Sequence, residues 1–513
     1  MKVYLIGAGP GDPGLLTLHG KAVLKRADVL IYDYLASPSL LDWARPEAER
    51  IFVGKRAGLH ALPQTEINRL LIARAREGKI VARLKGGDPY LFGRGGEEAQ
   101  ALSEAGIPFE EIPGVSSTIA GPAYAGIPLT HRACASSVTI ITGHEDADRE
   151  ISAHDWPSLA RSASTLVFVM GMKLLPEISA RLIAAGLSPD TPAAVIHWAT
   201  LPEQRSLAAR LDDLPDRAKE AGFINPSIVV VGEVVRLRDQ LNWFEQRPLY
   251  GKTVVVTRSR EQAGDLAAGL EELGARVARF PVIAIRPLAD TRTVDAAIAA
   301  LAAYDWLVFT SANGVSCFWE RLTAAGLDSR CLAGRRVAVI GPATAKALER
   351  RGIRADIQPE DYKAEGLAAA MLAYGMRGQR VMLARARAAR DVLPDELRRA
   401  GATVDVLPLY ETVPVVEHSA NLNQSLQTGR VHCVTFGSSS TVDNFFVAVD
   451  PKAVRQAHAQ GLRFACIGPI TARTLAGYGF DCDIQPEQYT IPALIEAVRR
   501  GFSSPNPAGS GAL

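Results

Sequence analysis

Neither sign of charge dominates this chain. Its 513 residues carry 57 Lys and Arg against 55 Asp and Glu, a formal net charge of +2, which excludes a global electrostatic footprint for nucleic acid or a membrane surface. Any anion must be held by local clusters. Long apolar runs are missing too. Stretches such as Leu166–Met170 are strand-length, far below the ~20 residues of a membrane span. Gly7 breaks the opening run Val3–Ile6, which argues against a secretory leader. Cysteine is sparse: Cys134, Cys317, Cys331, Cys433, Cys466 and Cys482 include no CxxC pair and no metal-ligand spacing, so neither a disulfide framework nor a zinc site is expected. No GxxxxGK[ST] phosphate loop occurs. These absences leave a soluble, cytosolic, metal-free chain as the expectation.

What is present alternates. Short β-branched runs are separated by Ala/Leu/Arg-rich helical stretches, the pattern of an α/β protein. In the first half the expected strands are Val3–Ile6, Val29–Tyr32, Ile80–Leu84, Ser137–Thr142, Thr165–Met170, Ala193–Trp198 and Ile228–Val231. The segment Leu241–Lys252 carries a proline and a glycine between strands and marks a domain boundary. Beyond it an internal repeat sets the organisation. TVVVTR, FPVIAI, AVIGPATAKAL and ADIQPEDY begin at Thr253, Phe280, Ala338 and Ala355; RVMLAR, LPLYET, ACIGPITARTL and CDIQPEQY begin at Arg380, Leu407, Ala465 and Cys482, each 127 positions later. The expected domains are 1–243, a linker at 244–250, a duplicated α/β unit at 251–502 and a low-complexity tail at 503–513.

The opening strand runs into GAGPGD. Gly7 and Gly9 fit a dinucleotide turn, but Asp12 stands where the third glycine belongs, and Asp33 at the end of the next strand imitates a ribose-binding acid. A nicotinamide enzyme and a ligand-free βα turn both stay open on this loop alone. Two further loops, RLKGGDPYLFGRGGEE and EIPGVSSTIAGPAY, bring glycines and hydroxyls to successive strand ends, with Asp88 able to take a ribose hydroxyl or an ammonium. Together they make a crevice for a nucleoside-like molecule. His131 and His144 find no metal-spaced partner.

These loops, with ADVLIYD, VGKRAG, AYAGIPLTHR, TGH, TLVFVMG and VVVGEVV in order across Val3–Arg238, resemble the uroporphyrinogen-III C-methyltransferase branch of the tetrapyrrole methylases. The resemblance implies a two-domain α/β fold and two methyl transfers from S-adenosylmethionine to uroporphyrinogen III, giving precorrin-2. It implies a methyl-donor site of Pro10, Gly86, Gly87, Asp88, Leu91, Ser116, Ser117, Met170 and Ala199. Ala199 replaces a usual glycine, and Ser116–Ser117 a frequent Thr-Ala. Asp33 is the implied proton acceptor and Lys55 the proton donor, with Arg56, Arg94 and Arg132 as clamps for substrate carboxylates or, equally, as solvated surface charges. For Met170 core packing is the alternative.

The second half, through FTSANGV, VIGPATA, PLYETV, TFGSSS and CIGPITARTL, resembles uroporphyrinogen-III synthase. That implies two α/β domains, about 251–282 with 414–500 and about 284–409, joined by a two-stranded linker. It implies cofactor-free closure of hydroxymethylbilane to uroporphyrinogen III with the last ring inverted. Tyr410 would assist hydroxyl departure, and Thr310, Ser311, Ser438 and Thr471 would bind acetates and propionates. Helix N-capping by these hydroxyls and inter-domain packing of Tyr410 are the plainer roles. The resemblance also implies a homodimer through the first half. The rivals are another corrin-pathway methylase, a dehydrogenase, and a second half that only binds or senses a tetrapyrrole. No third domain for precorrin-2 oxidation or metal insertion is seen.

Overall fold

A computed structural model describes residues 1–54, 62–143, 154–162, 164–258, 264–415 and 419–503. Lys55, Arg56, His144 and 504–513 therefore lie outside the described residues. Ser503, assigned to the tail by composition, closes the helix Ile491–Ser503 instead. The chain divides into two compact units: Met1–Lys252 with Glu271–Arg276, and Thr253–Leu270 with Val277–Leu513.

The first unit contains two five-stranded sheets. In the first sheet, β1 (Lys2–Gly7), β2 (Val29–Tyr32), β3 (Glu49–Phe52), β4 (Ile80–Lys85) and β5 (Phe109–Ile112) are parallel in the order β3-β2-β4-β1-β5. Alternate residues feed opposite cores, as the period of two demands. Tyr4, Ile6, Leu30 and Leu84 pack under the helix Leu18–Leu24, whereas Val3, Leu5, Val29 and Val81 pack with Ala99 and Leu102 of the helix Gly95–Glu104. After β1 the chain turns onto one face, and after β4 onto the other. The carboxyl ends of these neighbouring strands therefore flank a topological switch point, where diverging loops leave a crevice.

The second sheet comprises β6 (Val138–Thr142), β7 (Thr165–Val169), β8 (Pro192–His197), β9 (Arg205–Arg210) and β10 (Ser227–Val231), ordered β6-β7-β10-β8-β9. Only β6 and β7 pair in parallel. Strands β3 (ERIF) and β9 (RSLAAR) were not expected from the sequence. Both are edge strands, and their charged, weakly apolar composition is what an edge exposed to solvent requires.

The second unit also holds two sheets. One, in the order β12-β11-β18-β19, is built from β11 (Thr253–Val256), β12 (Arg276–Arg279), β18 (Cys433–Phe436) and β19 (Arg463–Cys466). The other, β13-β17-β16-β14-β15, is built from β13 (Ile283–Pro287), β14 (Trp306–Phe309), β15 (Arg336–Val339), β16 (Arg380–Ala386) and β17 (Thr403–Pro414). The 12-residue β17 pairs in parallel with β16 over its first part and antiparallel with β13 over its second, forming the two-stranded connector. The repeat holds at atomic detail. Asp356 Oδ2 accepts from Val337 N at 2.7 Å, and its counterpart Asp483 Oδ2 accepts from Phe464 N at 2.7 Å. Ala338–Ile357 and Ala465–Ile484 form equivalent bridges.

Candidate functional site

The first site grows from three glycines that touch backbone to backbone. A Cβ on Gly7 would stand 2.4 Å from Gly114 Cα, and one on Gly114 only 2.2 Å from Gly87 O. Gly9 and Gly87, at φ +76° and +69°, exchange two hydrogen bonds of 3.2 and 2.7 Å. Those left-handed conformations favour glycine. The loops after β1, β4 and β5 are thus locked together with no side chain between them. Gly86 has the same constraint, since a Cβ there would lie 2.4 Å from Leu35 Cβ.

Asp88 is the brace of this cluster. Its Oδ1 accepts from Tyr90 N and Leu91 N, both at 2.9 Å, and its Oδ2 from Gly114 N at 3.0 Å. The carboxylate anticipated for a ribose or an ammonium is first a loop-binding group; a ligand contact would use its remaining lone pairs. Asp12, which spoils the dinucleotide fingerprint, has a positive task. Its Oδ1 accepts from Gly14 N at 2.7 Å and its Oδ2 from Tyr124 OH at 2.7 Å. Burial and the neighbouring carboxylate push the Tyr124 phenol well above its ordinary pKa. Asp12 N in turn donates to Thr200 Oγ1 at 3.1 Å, which ties the opening loop to the loop after β8. Ala199 sits there, 8% exposed, between Trp198 and Thr200 in left-handed backbone (φ +48° and +68°).

Pro10 and Leu91 are half-buried beside the glycines. Ser116 caps the helix Ser117–Tyr124, accepting from Thr118 N at 3.3 Å, and is 6% exposed, so its hydroxyl is committed to the cap. Met170 is 47% exposed, with φ +58°, which rules out core packing. The Asp33 carboxylate, at the end of β2, accepts from Leu35 N at 3.1 Å and from Arg83 Nη2 at 3.2 Å. Arg94 grips Glu97 through two 2.8 Å bonds at the surface. Arg132 is exposed in the turn after Thr130. Sequence reading missed Arg83, Lys85 and Glu98, which are buried together at the carboxyl end of β4. Two cations two residues apart in an otherwise buried parallel strand were the available signal.

The second site centres on Tyr410, in β17 opposite Pro287 of β13. It is 6% exposed, and its hydroxyl lies 2.8 Å from Ser311 Oγ. Burial pushes the phenol upward, which keeps it in the protonated, donating form. Ser311 also caps the helix Ala312–Ala324, accepting from Gly314 N at 3.0 Å. Its counterpart Ser438 caps Ser439–Ala448 through a capping box with Thr441. Thr310 and Ser438 are half-buried at their strand ends. Thr471 is not presented in this way: it is 4% exposed inside its helix, as is its counterpart Thr344 at 3%. Ser311 and Tyr410 are thus joined, Ser438 is the repeat counterpart of Ser311 at the other helix N-terminus, and Thr471 stands apart. Among the described residues no cluster of metal-ligating side chains occurs, and no helix is long and apolar enough to cross a membrane.

Two family profiles match the chain: Tetrapyrrole (Corrin/Porphyrin) Methylases over residues 2–215 and Uroporphyrinogen-III synthase HemD over residues 264–496. A porphyrin biosynthesis protein HemD of Ruminiclostridium josui is 38% identical over 496 residues, covering 96% of this chain and 97% of its own. A uroporphyrinogen-III C-methyltransferase of Bacillus subtilis (strain 168) is 42% identical over 70% of this chain and 74% of its own. A siroheme synthase of Pseudomonas putida is 50% identical over 48% of this chain and 52% of its own, so the chain spans about half of that relative. A solved uroporphyrin-III C-methyl transferase from Thermus thermophilus, complexed with S-adenyl homocysteine, is 39% identical and covers 46% of this chain and 100% of its own, with a TM-score of 0.40.

Proposed function

The chain belongs to the porphyrin-biosynthesis family in which a tetrapyrrole methylase precedes a uroporphyrinogen-III synthase, and from that premise we propose how each half works. The protein is a bifunctional enzyme, a methyltransferase and a synthase in one chain. The second half closes hydroxymethylbilane to uroporphyrinogen III, and the first methylates that product twice to precorrin-2.

In the methylase half the glycine cradle supports S-adenosylmethionine as donor. Its loops meet at backbone contact, where a Cβ at Gly7 or Gly114 would clash, while a Cβ at Gly87 would have no atom nearer than 3.8 Å, and close backbone approach is what a nucleoside needs. Pro10, Gly86, Gly87, Leu91, Ser117, Met170 and Ala199 would line it, with Asp88 bracing the loops. When bound, the donor supplies an already activated methyl group. The protein's task is to orient a pyrrole carbon and exclude water. Carbon methylation leaves a cationic pyrrole, which must lose a proton. Asp33 receives it; its ion pair with Arg83 at the mouth of the crevice is the observation that carries this reading. Arg94 and Arg132 clamp substrate carboxylates, Arg94 after exchanging Glu97 for them. Lys55 and Arg56 lie outside the described residues and enter no step.

In the synthase half no cofactor is needed. The Tyr410 phenol donates to the departing hydroxyl of hydroxymethylbilane, which leaves as water while the ring closes. Thr310, Ser311 and Ser438, at two helix N-termini, bind carboxylates without opposing charge; Thr471 is left out because it is buried. The reading includes a homodimer through the methylase half, tested by sedimentation. It also includes a cytosolic location, supported by six unpaired cysteines. One experiment tests both activities: incubation with hydroxymethylbilane, with and without S-adenosylmethionine. The expected products are uroporphyrinogen III without the donor and precorrin-2 with it. Failure to form the type III isomer sinks the synthase reading, and an unmethylated product sinks the other.

A further inference from the structure

Glu98 is fully buried, at 0% exposure, in the first turn of the helix Gly95–Glu104. All its donors meet one oxygen. Oε1 accepts from Gln64 Nε2 at 3.1 Å, Arg83 Nε at 3.2 Å and Lys85 Nζ at 2.8 Å, while Oε2 has no hydrogen-bond partner among the described residues. Arg83 and Lys85 share one face of β4, each 3% exposed. Buried ions of this kind are costly, and an apolar residue would pack the helix better.

The Arg83 fork shows what the cluster is for. Nε is held by Glu98; Nη1 donates to Leu84 O at 3.0 Å and Ile31 O at 3.5 Å; Nη2 donates to Asp33 Oδ2 at 3.2 Å. Every side of the guanidinium is engaged, and only its last partner reaches the crevice, with the Asp33 side chain 26% exposed. Two buried cations face one buried carboxylate, so Asp33 supplies the balancing negative charge.

We infer that Glu98 is a positioning residue for methyl transfer: through Arg83 it holds the Asp33 carboxylate in the orientation that receives the pyrrole proton. This rests on Asp33 being the proton acceptor proposed above. Glu98 itself touches neither substrate nor donor; its effect is carried by the rigid fork.

The test is a double-mutant cycle in the full chain, with methylation of uroporphyrinogen III as readout. Glu98→Gln should lower kcat about tenfold and leave KM for S-adenosylmethionine within about twofold. In an Asp33→Asn background the same change should cost less than about twofold, because the group it positions is gone. Glu98→Gln leaves two buried cations short of an anion, so a charge-balanced variant, Lys85→Met with Glu98→Gln, is measured beside it. That variant should bind S-adenosylhomocysteine normally and show the same loss of kcat. Equal losses in both Asp33 backgrounds overturn the inference. So does wild-type kcat in the charge-balanced variant, or loss of S-adenosylhomocysteine binding in both Glu98 variants. Wild-type methylation by Asp33→Asn alone removes the base assignment itself, and the inference with it.

Discussion

Replacing Gly114 by alanine probes the loop lock most directly. The substitution carries no left-handed penalty, so its cost is steric. The added Cβ would stand 2.2 Å from Gly87 O, 2.6 Å from Gly7 Cα and 2.8 Å from Gly7 C. Ordinary contact needs about 3.5 Å, so the loops after β1 and β4 must retreat by about 1 Å. Overpacking of this kind costs about 1–3 kcal/mol. The paired bonds between Gly9 and Gly87 lie in the path of the retreat, and losing either adds about 1 kcal/mol. The expected total is about 2–4 kcal/mol from the methylase half. The same displacement opens the donor cradle, so affinity for S-adenosylhomocysteine should fall at least about tenfold, equivalent to about 1.4 kcal/mol. Titration calorimetry reads the affinity and denaturant unfolding reads the stability. Cyclisation of hydroxymethylbilane by the same sample reports the intact second half. Gly96→Ala is the control: nothing lies within 4 Å of its Cβ, and in a helix alanine should gain about 0.4–1 kcal/mol. If Gly114→Ala binds S-adenosylhomocysteine as the parent does, the glycine lock is not the basis of the site.

Three further outcomes are expected. Tyr410→Phe removes the hydroxyl bonded to Ser311, which should cost about 0.5–1.5 kcal/mol and slow cyclisation without abolishing it; total loss would contradict a substrate that ionises largely by itself. Ser438→Ala deletes the side-chain half of a capping box, the bond from Thr441 N to Ser438 Oγ, and leaves the bond from the backbone N–H of residue 438 to Thr441 Oγ1, so denaturant unfolding should show a loss of about 1 kcal/mol, and weaker binding of hydroxymethylbilane should accompany it. Asp405 accepts from Tyr304 OH at 2.7 Å and from Arg380 Nη2 at 3.0 Å, and these bonds hold its carboxyl below the ordinary value of 3.8. A depressed carboxyl stabilises the fold above its unfolded pKa and loses that contribution as pH falls through the folded one. The stability gap between the parent and Asp405→Asn should therefore be constant above about pH 5 and close progressively below pH 3.8; a gap that widens on acidification would reverse the assignment.

Much of the fold was legible in the chain. Buried strands such as VYLIG and SIVVV announce themselves because both faces are covered, and the 127-residue repeat exposes the duplication without any structure. The edge strands β3 and β9 were missed because an edge is built from charged and small residues. The candidate site was half legible. Glycine loops and capping hydroxyls are local signals, so GAGPGD, KGGD, FTSANG and TFGSSS could be read in place. Asp12, Asp88 and Thr471 could not, because their roles depend on which backbone N–H or packing environment folding brings to them.

The sequence by itself determined the α/β pattern, the division into a methylase-like and a duplicated half, and the residue types at each strand end, since these follow from short-range periodicity and repetition. Only the tertiary structure decided that Gly7, Gly87 and Gly114 meet at backbone contact, that Arg83 links buried Glu98 to Asp33, and that Tyr410 reaches Ser311 across 99 positions of chain. Such contacts join segments far apart in sequence. No local propensity encodes them, and they exist only once the strand order has brought those segments together.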